Sequence, residues 1–351
     1  MSFKFWNKFF LVTAFSFFIV TATFNFIVNP YGLFNHHLFS DFMVIKKHTV
    51  SSRMQIFYDT IHNEPQNIMM GSSRIGMLPP SAVSKYLGGP TKNMAMEGTN
   101  IEEQSQYLLY MIKNTSVKNI VWSMDFFSFN PDLANDIDFN YDRLESSIHF
   151  NSDHKISLLG FQATKNSFLT LYDNFKASDK NKEVHKRFLS DEDGETKRYQ
   201  HYNTLKQNEV DEITAWQIEN YTKKFLVVKT FDSPHSIDPN IKKIHTVINA
   251  CKKKKIKLVI YTSPVSKDFL QLYKDLNLED TFKYWKKGLA DITAYTDFCY
   301  LNDITINPYN FLDASHLMPK YSALLFARVF NDPSIKGPKD FGKYINKKSK
   351  N

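Results

Sequence analysis

The chain has 351 residues and a formal net charge of +8, with 31 Phe and 18 Tyr but only 2 Cys. Two cysteines exclude a disulfide framework and a Cys-rich zinc site; they leave one bridge between Cys251 and Cys299 or two buried free thiols, and the thiols are the expectation. The positive excess is spread over Lys-rich spots such as Lys252 to Lys255 and residues 336–350, without an arginine cluster or an aromatic-interleaved basic stripe. A solvated basic surface is therefore expected, with no nucleic-acid partner.

Phe9 to Val28 reads FFLVTAFSFFIVTATFNFIV, an uncharged run preceded by Lys4 and Lys8 and followed by no charge until Asp41. As a helix it spans about 30 Å, the thickness of a bilayer's hydrocarbon core. Three readings fit: an uncleaved anchor, a cleaved signal peptide and a buried core helix. Thr21-Ala22-Thr23 is a poor cleavage site and the run has no polar face, so the expectation is an anchor over residues 1–28. The positive-inside rule then keeps the N-terminus in the cytoplasm and exports the rest. A membrane-proximal segment, 29–60, follows. His36-His37 lies in it with no third ligand nearby, so no metal site is expected.

Three short apolar runs then read as strands buried on both faces: Gln66 to Gly71, Lys118 to Asp125 and Ile256 to Ser263. Thr91 to Ala95 and Asp297 to Leu301 are two lesser candidates. Helical stretches such as Ile101 to Lys113 and Ile241 to Cys251 lie between them. Strands alternating with helices predict a doubly wound α/β domain, taken as 61–335. Residues 131–239 are polar, carry Asp-Glu-Asp-Gly at 191–194 and are expected to form an insertion between two core strands, placed as a cap facing a substrate. A Lys-rich tail, 336–351, closes the chain.

Functional atoms of open α/β sheets gather at the carboxyl ends of the strands. The first strand ends in Gly71-Ser72-Ser73-Arg74, where a serine on a tight strand-to-helix turn is placed either to act as a nucleophile or simply to cap the next helix. Arg74 beside it reads as a ligand for a substrate carboxylate or phosphate, or as half of a salt bridge. Asp313-Ala314-Ser315-His316 precedes an amphipathic helix expected over Leu317 to Phe330, and an Asp three residues before a His can orient the imidazole. Asp59/His62 and Asp232/His235 repeat that spacing, but the first pair is expected on a helix before the first strand and the second in the polar insertion. Trp285 is expected as a core residue on a helix. No phosphate-cradling glycine loop or dinucleotide fingerprint is present, so no cofactor is expected.

The order Gly-Ser-Ser-Arg, then Asn93-Met94-Ala95-Met96-Glu97-Gly98, then Asp-Ala-Ser-His resembles the SGNH (GDSL-like) hydrolase superfamily. More closely it is similar to the membrane-anchored bacterial branch that includes the alginate O-acetylation proteins and the D-alanine transfer protein of teichoic-acid assembly. Val28 to Phe34 and Ser123 to Phe129 share in the likeness, which covers most of the exported part and is weakest over the insertion. The resemblance implies a three-layer α/β/α sandwich with a flavodoxin-like sheet, and acyl chemistry through a serine ester. It implies Ser73 as nucleophile, Asp313 and His316 as its partners, and the N–H groups of Ser73 and Gly98 as oxyanion donors. Two positions depart from the pattern. Ser72 stands where the family has Asp, and Asp125 stands where the family has the oxyanion-hole Asn; Asp125 is therefore counted, with Arg74, as a candidate substrate-binding residue. The function implied is a bacterial inner-membrane esterase or acyltransferase acting on an acylated envelope glycan or acyl donor, alone or beside an inner-membrane acyltransferase. The alternative is a catalytically inactive member that binds glycan or scaffolds an export complex.

Overall fold

A computed structural model describes residues 3–36, 38, 52–145, 152–178, 193 and 199–348. His37, most of the acidic stretch at 191–194 and the last residues of the Lys-rich tail lie outside the described residues. In chain order the elements are α1 (Phe3–Val28), α2 (Ser52–Asn63), β1 (Asn67–Met70), α3 (Ser73–Gly76), α4 (Ser81–Leu87), β2 (Thr91–Asn93), α5 (Ile101–Asn114), β3 (Asn119–Met124), α6 (Tyr141–Glu145), α7 (Ser152–Leu159) and α8 (Phe161–Lys176). After the helices Gln207–Lys224 and Asp238–Lys254 come β4 (Lys257–Thr262), the helices Lys267–Asp275 and Glu279–Ile292, β5 (Tyr295–Asp297), the helix Ser322–Val329 and β6 (Lys343–Ile345).

The chain divides into two compact units, one of residues 1–63 with 137–190 and one of residues 64–136 with 191–351. The stretch expected as a single insertion is thus shared between the units. In the first, α1 is long and apolar enough to cross a membrane. Nearly all of it is exposed, and the burial it has falls at its C-terminal end, on Asn25 and Val28.

The second unit is α/β. Its sheet has six strands in the order β2-β1-β3-β4-β5-β6, parallel throughout except for β6. β1 is buried at every position and β3 at all but its first, which accounts for their continuous apolar sequence. Because β2 lies on one side of β1 and β3 on the other, the chain reverses its direction of winding between β1 and β3. The carboxyl ends of those two strands flank the crevice where such sheets carry their sites.

Three elements differ from the sequence-based expectation for physical reasons. β5 stops at Asp297, where the run read as a strand was expected to begin. The Asp297 carboxylate accepts hydrogen bonds from Thr262 Oγ1 (2.7 Å) and the Cys299 N–H (3.0 Å) and faces Lys286 Nζ at 2.7 Å, so the chain turns around it. The last helix begins at Ser322 rather than Leu317: Pro319 opens a 3₁₀ turn, and Leu317 forms an isolated antiparallel bridge with Phe311. The Lys-rich tail contributes β6, an antiparallel edge strand whose register pairs Tyr295 with Ile345, Thr296 with Tyr344 and Asp297 with Lys343. Lysine on an edge strand discourages further pairing. Trp285 is wholly buried among Phe126, Phe129 and Phe282, and both cysteines are buried free thiols. Burial pushes the Cys251 thiol up to about 11 and the Cys299 thiol up to about 12.

Candidate functional site

The site assembles at the carboxyl ends of β1 and β3. Leaving β1, the chain must turn at once into α3, and Gly71 makes this turn at φ +153°, where an added Cβ would lie 2.9 Å from both Ser123 Cβ and Ile75 Cγ2. Only a residue without a side chain lets β1 and β3 sit so close at this corner. Ser72 caps α3, its Oγ accepting from the Arg74 N–H at 3.3 Å, and Ser73 is the first residue of that helix. Of the sequence's two readings of this Ser pair, capping thus falls to Ser72, which leaves the Ser73 hydroxyl to a different partner.

That partner is His316. Ser73 Oγ lies 2.7 Å from His316 Nε2, across 243 residues of sequence. His316 Nδ1 lies 2.8 Å from Asp313 Oδ2 and 3.0 Å from Oδ1. A carboxylate accepts only, so Nδ1 carries a proton, and in the neutral imidazole Nε2 then offers its lone pair to the Ser73 O–H. Asp313 and His316 are both buried, whereas Ser73 is half-buried. The Asp313 carboxyl is held below its ordinary value. Burial opposes this, but the charge and hydrogen bond of His316 and the N–H groups of Ser315 (2.7 Å) and His316 (2.9 Å) outweigh it. Ser315 Oγ adds contacts to Asp313 Oδ1 (3.1 Å) and His316 Nδ1 (3.0 Å). The sequence reading singled out Asp313 and His316 but not Ser315.

The depressed Asp313 value predicts how stability varies with pH. A carboxylate with a folded-state pKa below its unfolded value contributes stability that is fully present above about pH 4 and is lost as the pH falls through the folded value. Urea unfolding of wild type and Asp313→Asn is expected to show a stability gap that is present above about pH 4 and shrinks as the pH falls below it. A gap that widens below about pH 4 would contradict the direction of the shift.

The other two Asp-x-x-His pairs do not build this arrangement. His62 lies on α2 in the first unit, and its imidazole is pushed down by burial. His235 Nδ1 pairs with Asp238 Oδ2 at 3.2 Å and with Tyr284 Oη at 3.1 Å instead of engaging a serine.

Arg74 and Asp125 are brought together, 51 residues apart in sequence. Arg74 Nη1 donates to Asp125 Oδ1 at 3.2 Å, and Ser72 Oγ donates to Asp125 Oδ2 at 2.6 Å. Their side chains are 3 % and 0 % exposed. The guanidinium also lies 5.0 Å from the ring centres of Phe127 and Phe269 and 5.6 Å from that of Tyr221, a cation–π cage that compensates part of its desolvation. Burial works against the Arg74 charge, but the neighbouring Tyr221 and Asp125 outweigh it and the pKa rises. Tyr221 is itself pushed up by burial and is neutral, so the counter-charge that matters is the Asp125 carboxylate. Asp125 therefore faces inward as an acceptor for Ser72 and Arg74. It presents no donor to a developing oxyanion.

β2 brings in the second motif. Beyond its last paired residue the chain stays beside β1, with the Met94 N–H on Met69 O (2.8 Å) and the Met96 N–H on Gly71 O (3.0 Å). Asn93 Nδ2 reaches the carbonyls of Ile75, Gly76 and Leu78, each at 3.3 Å, and ties this segment to the helix that carries Ser73. Gly98 follows at φ +60°, with the Phe225 ring against it; a Cβ there would lie 2.6 Å from Phe225 Cε1. Gly98→Ala is therefore expected to destabilise the protein by about 1–3 kcal/mol through strain and overpacking. An unchanged urea midpoint would show that the turn tolerates a side chain.

Phe225 and Tyr221, which line this site, come from the helix Gln207–Lys224 and its C-terminal end, in the stretch expected as a cap. Among the described residues no group of three or more His, Cys, Asp or Glu is arranged to hold a metal ion. In comparison with known proteins, no family model matches the chain and no curated protein matches it.

Proposed function

We propose that this chain is a serine esterase or acyltransferase of SGNH type, anchored in the bacterial inner membrane by α1 with its N-terminus in the cytoplasm. Its substrate class is an acylated cell-envelope glycan or the acyl donor that modifies one, and an inner-membrane acyltransferase is the partner consistent with that chemistry. The reading carries with it a three-layer α/β/α arrangement with a flavodoxin-like sheet; the parallel order β2-β1-β3-β4-β5 supports it, because parallel strands need crossovers that lie on the sheet faces. The observation that carries the functional reading is the contact of Ser73 Oγ with His316 Nε2 at 2.7 Å while Asp313 holds the opposite ring nitrogen at 2.8 Å.

In this mechanism His316 Nε2 takes the hydroxyl proton as Ser73 Oγ bonds to the acyl carbonyl carbon. The tetrahedral oxyanion forms against the N–H groups of Ser73 and Gly98. Its collapse breaks the bond to the leaving alcohol, which receives the proton from His316, and the acyl group stays on Ser73. Water or a glycan hydroxyl then enters by the same steps and takes the acyl group away.

The test is labelling of the full-length protein in detergent with a fluorophosphonate probe. Wild type is expected to react, with Ser73→Ala and His316→Ala silent. Absence of labelling in folded wild type would favour a catalytically inactive glycan-binding or scaffold protein. That second reading has its own observation, the burial of Asp125 against Arg74 where the family pattern has an oxyanion-hole Asn.

A further inference from the structure

Helix α8 is built inside out for a water-soluble protein. Its buried side is polar: Asn166, Ser167, Thr170 and Asn174 lie inward with Ala163. Its outward side is aromatic, with Phe161 84 %, Phe168 62 % and Phe175 81 % exposed, and Tyr172 and Leu169 also exposed. Phe161, Phe168, Tyr172 and Phe175 share one face over about 21 Å of helix, with Leu169 at its edge and Lys165 in the turn after Phe161. In water such a stripe is unfavourable, and monomeric proteins rarely expose one.

The polar side has a defined purpose. Asn25, buried near the C-terminal end of α1, donates through Nδ2 to Leu158 O (2.8 Å) and Thr164 Oγ1 (2.9 Å), and accepts from Ser167 Oγ (2.8 Å). Asn166 Nδ2 reaches Tyr31 Oη at 3.2 Å, and the Phe24 and Phe168 rings meet at 4.8 Å. α8 is therefore clamped by hydrogen bonds to the last turn of α1 and the residues just after it. The aromatic stripe joins the apolar surface of α1 through Phe24 and Phe168. α7 repeats the inversion on a small scale, with Ile156 and Leu159 outward and Asp153 and Ser157 inward.

We infer that α7 and α8 lie in the headgroup region of the same bilayer that α1 crosses, with the stripe Phe161, Phe168, Leu169, Tyr172 and Phe175 dipped into the acyl-chain boundary. This rests on the reading of α1 as a membrane anchor. Lipid fits better than a protein partner for two reasons. The stripe is contiguous with a surface that lipid must already cover, and aromatic rings interspersed with lysine make up the interfacial belt of membrane proteins. Lys165 and Lys176 are exposed beside the rings, and Lys176 Nζ lies 4.4 Å from the centre of the Tyr172 ring. Their long stems let the ammonium groups reach lipid phosphates while the rings sit deeper. The anchor then ends in a hydrogen-bonded platform instead of a single swivelling helix.

Full-length protein is reconstituted in vesicles of phosphatidylethanolamine and phosphatidylglycerol with single cysteines at Phe175→Cys, Phe15→Cys or Lys252→Cys carrying a nitrobenzoxadiazole label. Cys251 and Cys299 are buried and stay unlabelled in the folded protein. The label at 175 is expected to emit to the blue and to be quenched by lipids brominated near the headgroup, while the label at 252 is quenched by aqueous iodide. A label at 175 that is open to iodide, with the label at 15 still quenched by lipid, would overturn the platform and leave the anchor standing. Labels at both 15 and 175 in water would overturn both. A label at 175 shielded from lipid and iodide alike would mean that a second copy of the chain, and not lipid, covers the stripe.

Discussion

Asp125→Leu is expected to lower the stability of the α/β unit by about 3–5 kcal/mol, read as a shift of the urea unfolding midpoint of the full-length chain in detergent. The cost comes less from the lost contact than from what it leaves behind. Arg74 remains ionised with its side chain 3 % exposed, and among the described residues its Nε and Nη2 already have no hydrogen-bond partner. Removing the carboxylate strips the charge of its counter-ion, and the Phe127, Tyr221 and Phe269 rings offset only part of the loss, of the order of 1–2 kcal/mol. Ser72 Oγ loses its 2.6 Å acceptor as well. The double variant Arg74→Met/Asp125→Leu removes both charges and keeps the volume, so it is expected to recover most of the stability. Asp125→Asn is expected to fall between, since its amide keeps one oxygen for Arg74 but turns an N–H₂ group toward Ser72 or the reverse. If the double variant is as unstable as Asp125→Leu alone, the pair matters for packing and not for charge.

The comparison also separates two roles for this pair. Arg74 follows Ser73 directly, and Ser72 precedes it, so the Arg74–Asp125–Ser72 network fixes the backbone on both sides of Ser73. A double variant that folds but no longer reacts with an acyl probe would assign the network to positioning of Ser73.

How far the sequence could be read depended on whether a feature is local. α1 is legible because a long uncharged run needs no partner to be recognised. β1 and β3 are legible because strands buried on both faces are continuously apolar. β4 reads the same way although only Ile260 to Thr262 of it are fully buried, and α5 is legible because its periodicity matches its cap at Asn100. Asp313 and His316 are readable as a pair only from their spacing taken together with their place before the last helix, since two other pairs share the spacing. The place after a strand marks Ser72 and Ser73 alike, and the resemblance alone points to Ser73; their meeting is an expectation of topology, since both segments follow carboxyl ends of the sheet. Arg74 is readable as half of a salt bridge, but its partner was not legible, because no local pattern says that two charges 51 residues apart will close on each other. Nor was β6, whose few apolar residues sit among lysines. α8 shows a different limit. Its residues have ordinary helical periodicity, and periodicity reports that two faces differ without saying which one is turned inward. Only the hydrogen bonds of Asn25, Asn166 and Ser167 decide that the polar face is the buried one.

Asp313→Asn is expected to reduce turnover of an aryl acetate, such as 4-nitrophenyl acetate, by about 10⁴-fold while the protein remains folded. Asp313 Oδ1 accepts the N–H groups of Ser315 and His316, so in the variant the amide oxygen stays at that position and the NH₂ group takes the place of Oδ2. That group then points at His316 Nδ1, previously 2.8 Å from a carboxylate oxygen. The imidazole must now accept at Nδ1 and carry its proton on Nε2, which faces Ser73 Oγ at 2.7 Å. A protonated Nε2 cannot take the hydroxyl proton, so the geometry survives while the base is lost. Asp313→Ala removes the orienting group without imposing the wrong tautomer, and is expected to be less damaging to the reaction per folded molecule than Asp313→Asn. A loss below about tenfold in Asp313→Asn would mean that His316 does not act as the base for Ser73. Equal losses in Asp313→Asn and Asp313→Ala would mean that orientation, and not the choice of tautomer, is what Asp313 provides.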